Sequence, residues 1–348
     1  MTQNKPSVAF IGTGIMGAPI AGHILDAGYP LTVFNRTPSK ADDLVARGAR
    51  RAESVDDAVD GADIVFTMVG YPADVEELYL AGDGILACSK PGAVLIDLTT
   101  SAPSLARDIA EAAQVEGRFA FDLPVTGGQA GAQAGTLTGI AGATERDIAA
   151  VRPVLDTFTS QIFCFDGPGK GQAAKLANQV ALASCMMGMA DSLAFAEQSG
   201  LDLKKTREMI LTGTGKSGAM EQLAPKTFDG DWKPGFKVQH FVKDLRLALS
   251  DAEDQELALP GAETAFTLYE VLEAIGGADL GTQALAVLYR EEADAVAAGL
   301  DWSLYTHPQD DDHECGCGCD HDGDHECCHG HGHGEGHECC HAHDHGEE

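Results

Sequence analysis

The first half of the sequence alternates short apolar segments rich in β-branched residues with segments whose apolar residues recur at helical spacing. This alternation predicts parallel strands, because a helix between two strands returns the chain to the same end of the sheet. A parallel sheet has both faces covered, so the pattern predicts a doubly wound α/β domain. The predicted strands are 8–12, 31–34, 63–69, 93–98, 119–125, 137–143 and 161–165.

The second half of the chain has a different character. From Gly171 to about Leu300 the strand pattern is absent, and a long helix-forming segment runs to Gly200. We therefore predict an all-α domain built on a long interdomain helix, after a Gly- and Pro-containing turn at 166–171. The segment after residue 306 has almost no apolar side chain larger than Ala, so it is predicted to be a disordered tail. The predicted regions are 1–168, 169–303 and 304–348.

Charge and hydropathy exclude several kinds of partner. The chain carries 23 Lys and Arg against 54 Asp and Glu, a formal net charge of -31, and without the tail from 307 to 348 it is still at -18. An acidic body predicts no nucleic-acid partner, and the acidity fits either solubility or adaptation to high salt. No uninterrupted apolar stretch reaches about 18 residues and no signal peptide is evident, so we expect a cytoplasmic protein without a membrane partner.

A glycine-rich loop follows the first predicted strand. Gly12, Gly14 and Gly17 fit the pattern G-x-G-x-x-G between that strand and a helix, which is the arrangement of a Rossmann dinucleotide-binding domain. The first glycine permits a tight turn, the second lets the backbone approach a pyrophosphate, and the third lets the helix pack against the strand. Region 1–168 is therefore predicted to bind a dinucleotide, with Ile15 and Met16 also contacting it.

The end of the second predicted strand bears on the choice between NAD and NADP. Asn35, Arg36 and Thr37 stand where an NAD-preferring site carries an acidic residue for the ribose 2′-hydroxyl. The Arg36 guanidinium can bind a 2′-phosphate, and the flanking polar side chains can hydrogen-bond it. We therefore expect NADP to be favoured over NAD. The alternative is that Arg36 lies over the adenine or faces solvent.

Three further motifs complete a family resemblance. They are DLTTSAP (97–103), DLPVTGG (122–128) and GKGQAAKLANQ (169–179). With the glycine loop and GFKVQHFVKDL (235–245), they resemble the motifs of the β-hydroxyacid dehydrogenase family in order and spacing over about residues 7–300. That family includes 3-hydroxyisobutyrate dehydrogenase and several semialdehyde reductases. Thr126 stands where the family more usually has Ser.

The resemblance implies a role for individual residues of this sequence. It implies that Lys175 is the general acid/base, and burial or a neighbouring cation must then lower its pKa from the free value of about 10.4. The substrate would be held by Thr126, Gly127, Gly128 and Asn178. The cofactor would also be contacted by Val69 and Thr99, with Lys243 closing over it. The resemblance further implies a homodimer or homotetramer, in which region 169–303 serves substrate binding and oligomerisation.

The tail combines ligand types that bind soft and borderline metals. Residues 307–348 hold 7 of the 10 Cys and 11 of the 13 His, including two HECCH units. Thiolates and imidazoles bind Zn, Ni or Cu, although the C-x₂-C spacing of a zinc finger is absent. We do not expect this metal to be needed for catalysis. The candidate ligands are Cys315, Cys317, Cys319, His325, Cys327, Cys328, His329, His337, Cys339, Cys340 and His341.

Two functional hypotheses follow from the sequence. The first is an NAD(P)-dependent oxidoreductase that interconverts a small 3-hydroxy acid and its semialdehyde, with a carboxylate-bearing aldehyde or hydroxy acid as substrate. The second is a metal-binding or metal-delivery protein that uses the dehydrogenase body as a scaffold. The complete set of motifs favours the first hypothesis.

Overall fold

The computed structural model describes residues 5–290 and 292–304, which fall within one compact unit. The tail and its candidate metal ligands lie outside the described residues. Strands are found at β1 Val8–Ile11, β2 Leu31–Phe34, β3 Arg50–Arg51, β4 Ile64–Thr67, β5 Val94–Asp97, β6 Phe119–Asp122, β7 Val125–Thr126, β8 Leu137–Ala141 and β9 Thr159–Cys164. All seven predicted strand segments therefore contain strand.

The strands form two sheets. The larger sheet has the order β3-β2-β1-β4-β5-β6 and is parallel throughout, which confirms the predicted doubly wound domain. The smaller sheet has the order β7-β8-β9. In it, β7 is antiparallel to β8, and β9 is parallel to β8. The predicted single strand 119–125 is wrong in one respect, because it divides into β6 and β7. Pro124 lies at the division, where its missing N–H prevents continuous pairing in a central strand.

Helices cover the larger sheet and build the second half of the described chain. On one face α1 buries Ile20 and Ile24 against the strands, and on the other face α6 buries Ile109. The helices are α1 Gly17–Asp26, α2 Asp42–Ala46, α3 Val55–Val59, α4 Pro72–Leu80, α5 Ile85–Cys88, α6 Pro103–Val115, α7 Gly128–Ala134, α8 Glu145–Ile148, α9 Arg152–Leu155, α10 Lys170–Gln198, α11 Leu203–Leu211, α12 Gly218–Gln222, α13 Ala224–Phe228, α14 Val238–Asp254, α15 Pro260–Ala274 and α16 Glu292–Ala297, with 3₁₀ turns at Pro38–Ala41, Gly277–Asp279, Thr282–Tyr289 and Trp302–Leu304.

The long helix α10 organises the all-α region, as predicted. It packs against α14 and α15, where Phe241 and Tyr269 meet edge to face with ring centroids 4.9 Å apart. Burying aromatic side chains of this size stabilises the fold by about 1.5–3 kcal/mol each. By length and composition alone α10 is apolar enough to cross a membrane, but it is a core helix of this region. Its first turns also touch β6, β8 and α6, so they lie beside the larger sheet.

The sheet order places several loops at one edge. β1 and β4 are neighbours, and the chain leaves them toward opposite sides of the sheet, which opens a crevice at their carboxyl ends. The glycine loop follows β1, residues 68–71 follow β4, and residues 98–101 follow β5. The predicted cofactor-binding segments therefore meet at the edge where ligands of such sheets bind.

Candidate functional site

The glycine loop has the geometry of a dinucleotide cradle. Gly12 has a φ of 97°, and a Cβ atom there would lie 2.2 Å from the carbonyl oxygen of Met68. A Cβ atom on Gly17 would lie 1.9 Å from the carbonyl oxygen of Gly12, so the start of α1 packs directly on the turn. At Gly14 a Cβ atom would meet nothing within 4 Å, which leaves open space above the backbone. The residues present therefore fit a pyrophosphate at this loop.

Next to the cradle, Asn35 holds the loop to the end of β2. Its Oδ1 accepts a hydrogen bond from the Thr13 N–H at 2.9 Å, and its Nδ2 donates to the Thr37 carbonyl at 2.9 Å. The side-chain hydroxyl of Thr13 is buried and has no hydrogen-bond partner among the described residues. The amide of Asn35 is thus engaged with the backbone, while a polar atom of the loop is left without a partner.

Arg36 projects from the same turn into solvent. Its side chain is 90% exposed, and one guanidinium nitrogen lies 3.5 Å from Asp74 Oδ1. Exposed pairs of this kind stabilise a protein by less than about 1 kcal/mol. The guanidinium is therefore available to an anionic group bound at the end of β2.

The loops after β4 and β5 are joined by a hydrogen bond between two predicted cofactor residues. The Val69 N–H donates to Thr99 Oγ1 at 3.0 Å, and the Thr99 N–H donates to Asp97 Oδ1 at 3.0 Å. Thr67 Oγ1 also donates to that carboxylate oxygen, at 2.7 Å. The pKa of Asp97 is raised to about 6, because burial raises it more than these hydrogen bonds lower it. The carboxylate at the end of β5 therefore fixes the backbone that carries Thr99.

The start of α10 is anchored by a carboxylate from another element. Asp122, at the end of β6, accepts hydrogen bonds from the Gly169 N–H at 2.8 Å and the Gln172 N–H at 2.7 Å. Burial raises the pKa of this carboxyl, while its backbone hydrogen bonds lower it. A Cβ atom on Gly171 would lie 2.7 Å from Asp122 Oδ2, so glycine is needed for the approach. Asp122 therefore satisfies N–H groups that an isolated helix leaves unpaired.

Lys175 lies one turn into α10 and is only 7% exposed. Among the described residues its amine makes no hydrogen bond or ion pair. The pKa of Lys175 is lowered to about 8, chiefly by burial; the negative charge of Asp244 opposes this decrease, and the positive charge of Lys243 contributes to it. The sequence argument required such a reduction by burial or a neighbouring cation, and both causes are present.

Lys243 and Asp244 sit beside this amine at the start of α14. The Lys243 amine donates to the Thr100 carbonyl and lies 3.0 Å from Asp244 Oδ1. The other carboxylate oxygen of Asp244 accepts from Gln179 Nε2 at 2.6 Å, and Asn178 Nδ2 donates to Gln179 Oε1 at 2.9 Å. A connected polar network therefore runs from the β5 loop to Asn178.

The predicted substrate loop connects β7 to α7. Thr126 is half-buried, whereas Gly127 and Gly128 are exposed with φ values of 126° and 61°. A Cβ atom on Gly128 would approach the Gly235 carbonyl oxygen at 4.0 Å, so the loop lies near the segment before α14. Exposed backbone N–H groups and a threonine hydroxyl at this loop are suitable donors for a carboxylate.

Sequence reasoning missed several buried polar residues of the site. They include four side chains that bridge separate elements, namely Asp122, Gln172, Gln179 and Asp244. All four are at most 2% exposed. A signal was available for the glutamines, because they lie three residues before and four residues after Lys175 and so share its helix face. Asp122 and Asp244 stand inside the quoted motifs, but the elements that they bridge are not apparent from the sequence.

Two family models match the chain. The model of the NAD binding domain of 6-phosphogluconate dehydrogenase matches residues 7–167. A model described as NAD-binding of NADP-dependent 3-hydroxyisobutyrate dehydrogenase matches residues 169–289. The division between the two models falls in the turn before α10.

Curated and solved relatives agree with these models. The chain is 43% identical to the uncharacterized oxidoreductase YkwC of Bacillus subtilis over 82% of this chain and 99% of that protein. It is 39% identical to the NAD-dependent L-serine dehydrogenase of Pseudomonas aeruginosa over 78% of this chain and 94% of that protein. A solved structure of Mycobacterium tuberculosis 3-hydroxyisobutyrate dehydrogenase with L-serine matches with a TM-score of 0.76 and 31% identity, covering 82% of this chain and 100% of that one.

Proposed function

Because the chain belongs to the β-hydroxyacid dehydrogenase family, we propose that it interconverts a small 3-hydroxy acid and its semialdehyde, with NADP(H) favoured and Lys175 as general acid/base. It is an NAD(P)-dependent oxidoreductase of the 3-hydroxyisobutyrate dehydrogenase type. The observation that carries the proposal is the buried amine of Lys175. It lies on the helix that binds the Thr99 loop, and its lowered pKa suits proton transfer near neutral pH.

The cofactor would be held by the glycine cradle and by the loops after β2, β4 and β5. The N-terminus of α1 would receive the pyrophosphate, and Thr99 and Val69 would border the nicotinamide. A bound nicotinamide ring supplies or accepts the hydride. The open space at Gly14 and the unpartnered hydroxyl of Thr13 support this placement.

Lys175 would supply the proton that accompanies the hydride. In reduction the ammonium polarises the aldehyde carbonyl and transfers its proton to the oxygen, which becomes the product hydroxyl. In oxidation the neutral amine removes the hydroxyl proton. A pKa of about 8 leaves both protonation states accessible near neutral pH.

The substrate would be oriented by its carboxylate. The donors at Thr126, Gly127 and Gly128, together with the exposed amide of Asn178, are available to bind it. The names of two relatives point to compatible compounds, since L-serine and 3-hydroxyisobutyrate are both 3-hydroxy carboxylic acids. A panel of such acids and of small carboxylate-bearing aldehydes, assayed by nicotinamide absorbance with NAD(H) and NADP(H) in parallel, tests this proposal. Absence of turnover throughout the panel would contradict it.

We predict that Arg36→Glu raises the KM for NADPH roughly 10- to 100-fold, the equivalent of one or two lost charge-assisted hydrogen bonds. The KM for NADH should change much less, because NADH lacks the 2′-phosphate. Steady-state kinetics with both cofactors measures the two effects. Arg152→Glu is the matched control, because Arg152 is a partly exposed, ion-paired arginine on α9 and should leave both constants unchanged. Equal changes for the two cofactors in Arg36→Glu would remove the argument for NADP.

We also propose a second, separable function, which is metal binding by the Cys- and His-rich tail. The supporting observation is the repeated HECCH unit in a segment with 11 His, 7 Cys and 13 acidic residues. The second family model ends at residue 289, so this segment lies outside both models. Residues 5–290 and 292–304 contain no group of three or more His, Cys, Asp or Glu side chains arranged to hold a metal.

Removal of residues 307–348 is expected to abolish high-affinity Zn²⁺ binding and to leave NADPH-dependent turnover unchanged. Calorimetric titration with Zn²⁺ under reducing conditions measures the first effect, and the nicotinamide assay measures the second. The matched control is full-length protein with the seven tail cysteines changed to serine, which keeps the length and acidity of the tail. Weaker Zn²⁺ binding by this variant would assign the affinity to the thiolates rather than to the charge of the tail. A different outcome would indicate that the tail metal serves catalysis. In that case the truncated protein would lose turnover, and full-length protein stripped of metal would regain turnover when Zn²⁺ is added.

A further inference from the structure

The loop after β5 is held by side chains from the all-α region. Gln172 Nε2 donates to the Thr99 carbonyl at 2.8 Å, and Gln172 Oε1 accepts from the Ser101 N–H at 2.9 Å. Between these two positions, the Lys243 amine donates to the Thr100 carbonyl. Three successive residues of the loop that carries Thr99 are therefore bound by α10 and α14.

Gln172 is itself tightly fixed. Its side chain is 0% exposed, and its backbone N–H donates to Asp122 Oδ2 at 2.7 Å. It precedes Lys175 by three residues on the same helix, so the two side chains leave the same face of α10. One residue thus connects the backbone on either side of Thr100 to the helix turn that carries the amine.

We propose that Gln172 is a positioning residue for hydride transfer, which sets the position of the Thr99 loop relative to the amine of Lys175. This inference rests on the proposed function, in which Thr99 borders the nicotinamide and Lys175 contacts the substrate oxygen. Hydride transfer depends steeply on the separation of the two reacting carbons, whereas cofactor affinity is dominated by contacts elsewhere in the cradle. Gln172 therefore acts on the rate of the chemical step rather than on binding.

Gln172→Met tests this role, because methionine is similar in length and removes both hydrogen bonds. Without them, the Thr99 carbonyl and the Ser101 N–H lose their partners, and the loop shifts. We expect kcat for aldehyde reduction to fall roughly 10- to 100-fold while the KM for NADPH changes little. The isotope effect on kcat with NADPH deuterated at the transferred hydrogen should increase, because hydride transfer becomes more rate-limiting.

Gln283→Met is the matched control. Gln283 is also a buried glutamine, 1% exposed, whose Nε2 donates to two carbonyls, those of Asp231 and Lys233. This variant loses comparable hydrogen bonds in the all-α region, so it should lose stability without a change in the isotope effect.

Gln172→Glu provides a second readout. Its carboxylate accepts from Ser101 but repels the Thr99 carbonyl until it is protonated, so its kcat relative to wild type should rise as pH falls.

The outcomes separate this inference from the function on which it rests. If the wild-type protein turns over a substrate of the panel and Gln172→Met retains its kcat and isotope effect, the positioning role is wrong while the dehydrogenase assignment stands. An equal effect of Gln172→Met and Gln283→Met on kcat would also overturn it, since general destabilisation would then explain the loss. If the wild-type protein turns over no member of the panel, the proposed function fails and this inference fails with it.

Discussion

Replacement of Lys175 by alanine is expected to lower kcat roughly 10²- to 10⁴-fold in both directions of the reaction. The residue is buried and, among the described residues, makes no hydrogen bond or ion pair, so its amine contributes no contact that holds the fold together. Burial of the charged amine is unfavourable in itself, which is why its pKa falls to about 8. We therefore expect Lys175→Ala to fold and to bind NADPH with nearly wild-type affinity. Stopped-flow or steady-state turnover and a fluorescence titration with NADPH measure the two quantities.

Lys170→Ala is the matched control for this variant. Lys170 opens the same helix but is exposed, so its removal should leave turnover unchanged. The pH dependence of the wild-type protein adds an independent measurement. Reduction requires the protonated amine, so its kcat/KM should fall as pH rises through about 8, whereas oxidation requires the neutral amine and its kcat/KM should rise over the same range. Wild-type turnover in Lys175→Ala, or profiles without opposite slopes, would contradict the acid/base assignment.

Much of the fold could be predicted because local patterns and global architecture agree. The strand segments around Val8 and Ile64 are apolar and β-branched, and the segments between strands have helical periodicity, so a parallel sheet is the consistent solution. The division of 119–125 into two strands could have been predicted from Pro124. The two-residue strand β3 has charged residues only, Arg50 and Arg51, and therefore carries no apolar signal.

The candidate site divides in the same way between predictable and unpredictable parts. A sequence motif can predict residues whose role depends on the local backbone. Gly12 and Gly17 of the cradle are examples, because a Cβ atom at either position would collide with a neighbouring carbonyl oxygen. The polar network depends on contacts across 71 to 73 residues between Gln172 and the β5 loop, and across 65 between Gln179 and Asp244. Periodicity determines which face of a helix is buried, but it does not determine which backbone group a buried amide will meet. Such pairs become visible only when the tertiary structure is known.

Gly14→Ala and Gly17→Ala are expected to impair cofactor binding for different physical reasons. A Cβ atom on Gly17 would lie 1.9 Å from the Gly12 carbonyl oxygen and 3.1 Å from the ring of Phe10, so α1 must move away from β1. Overpacking of this kind costs about 1–3 kcal/mol. Gly17→Ala should therefore lower the free energy of unfolding by that amount and weaken NADPH binding roughly 100-fold, as the pyrophosphate site is displaced.

At Gly14 the added methyl group meets no atom of the protein within 4 Å. Its φ lies outside the left-handed region, so alanine introduces no backbone strain, and the free energy of unfolding should change by less than about 0.5 kcal/mol. The methyl group instead occupies the space through which a pyrophosphate approaches the backbone, so the Kd for NADPH should rise roughly tenfold or more. Chemical denaturation and NADPH titration of both variants separate the two causes. Unchanged NADPH affinity in Gly14→Ala would place the pyrophosphate elsewhere, whereas unchanged stability in Gly17→Ala would contradict the close packing of α1 on the turn.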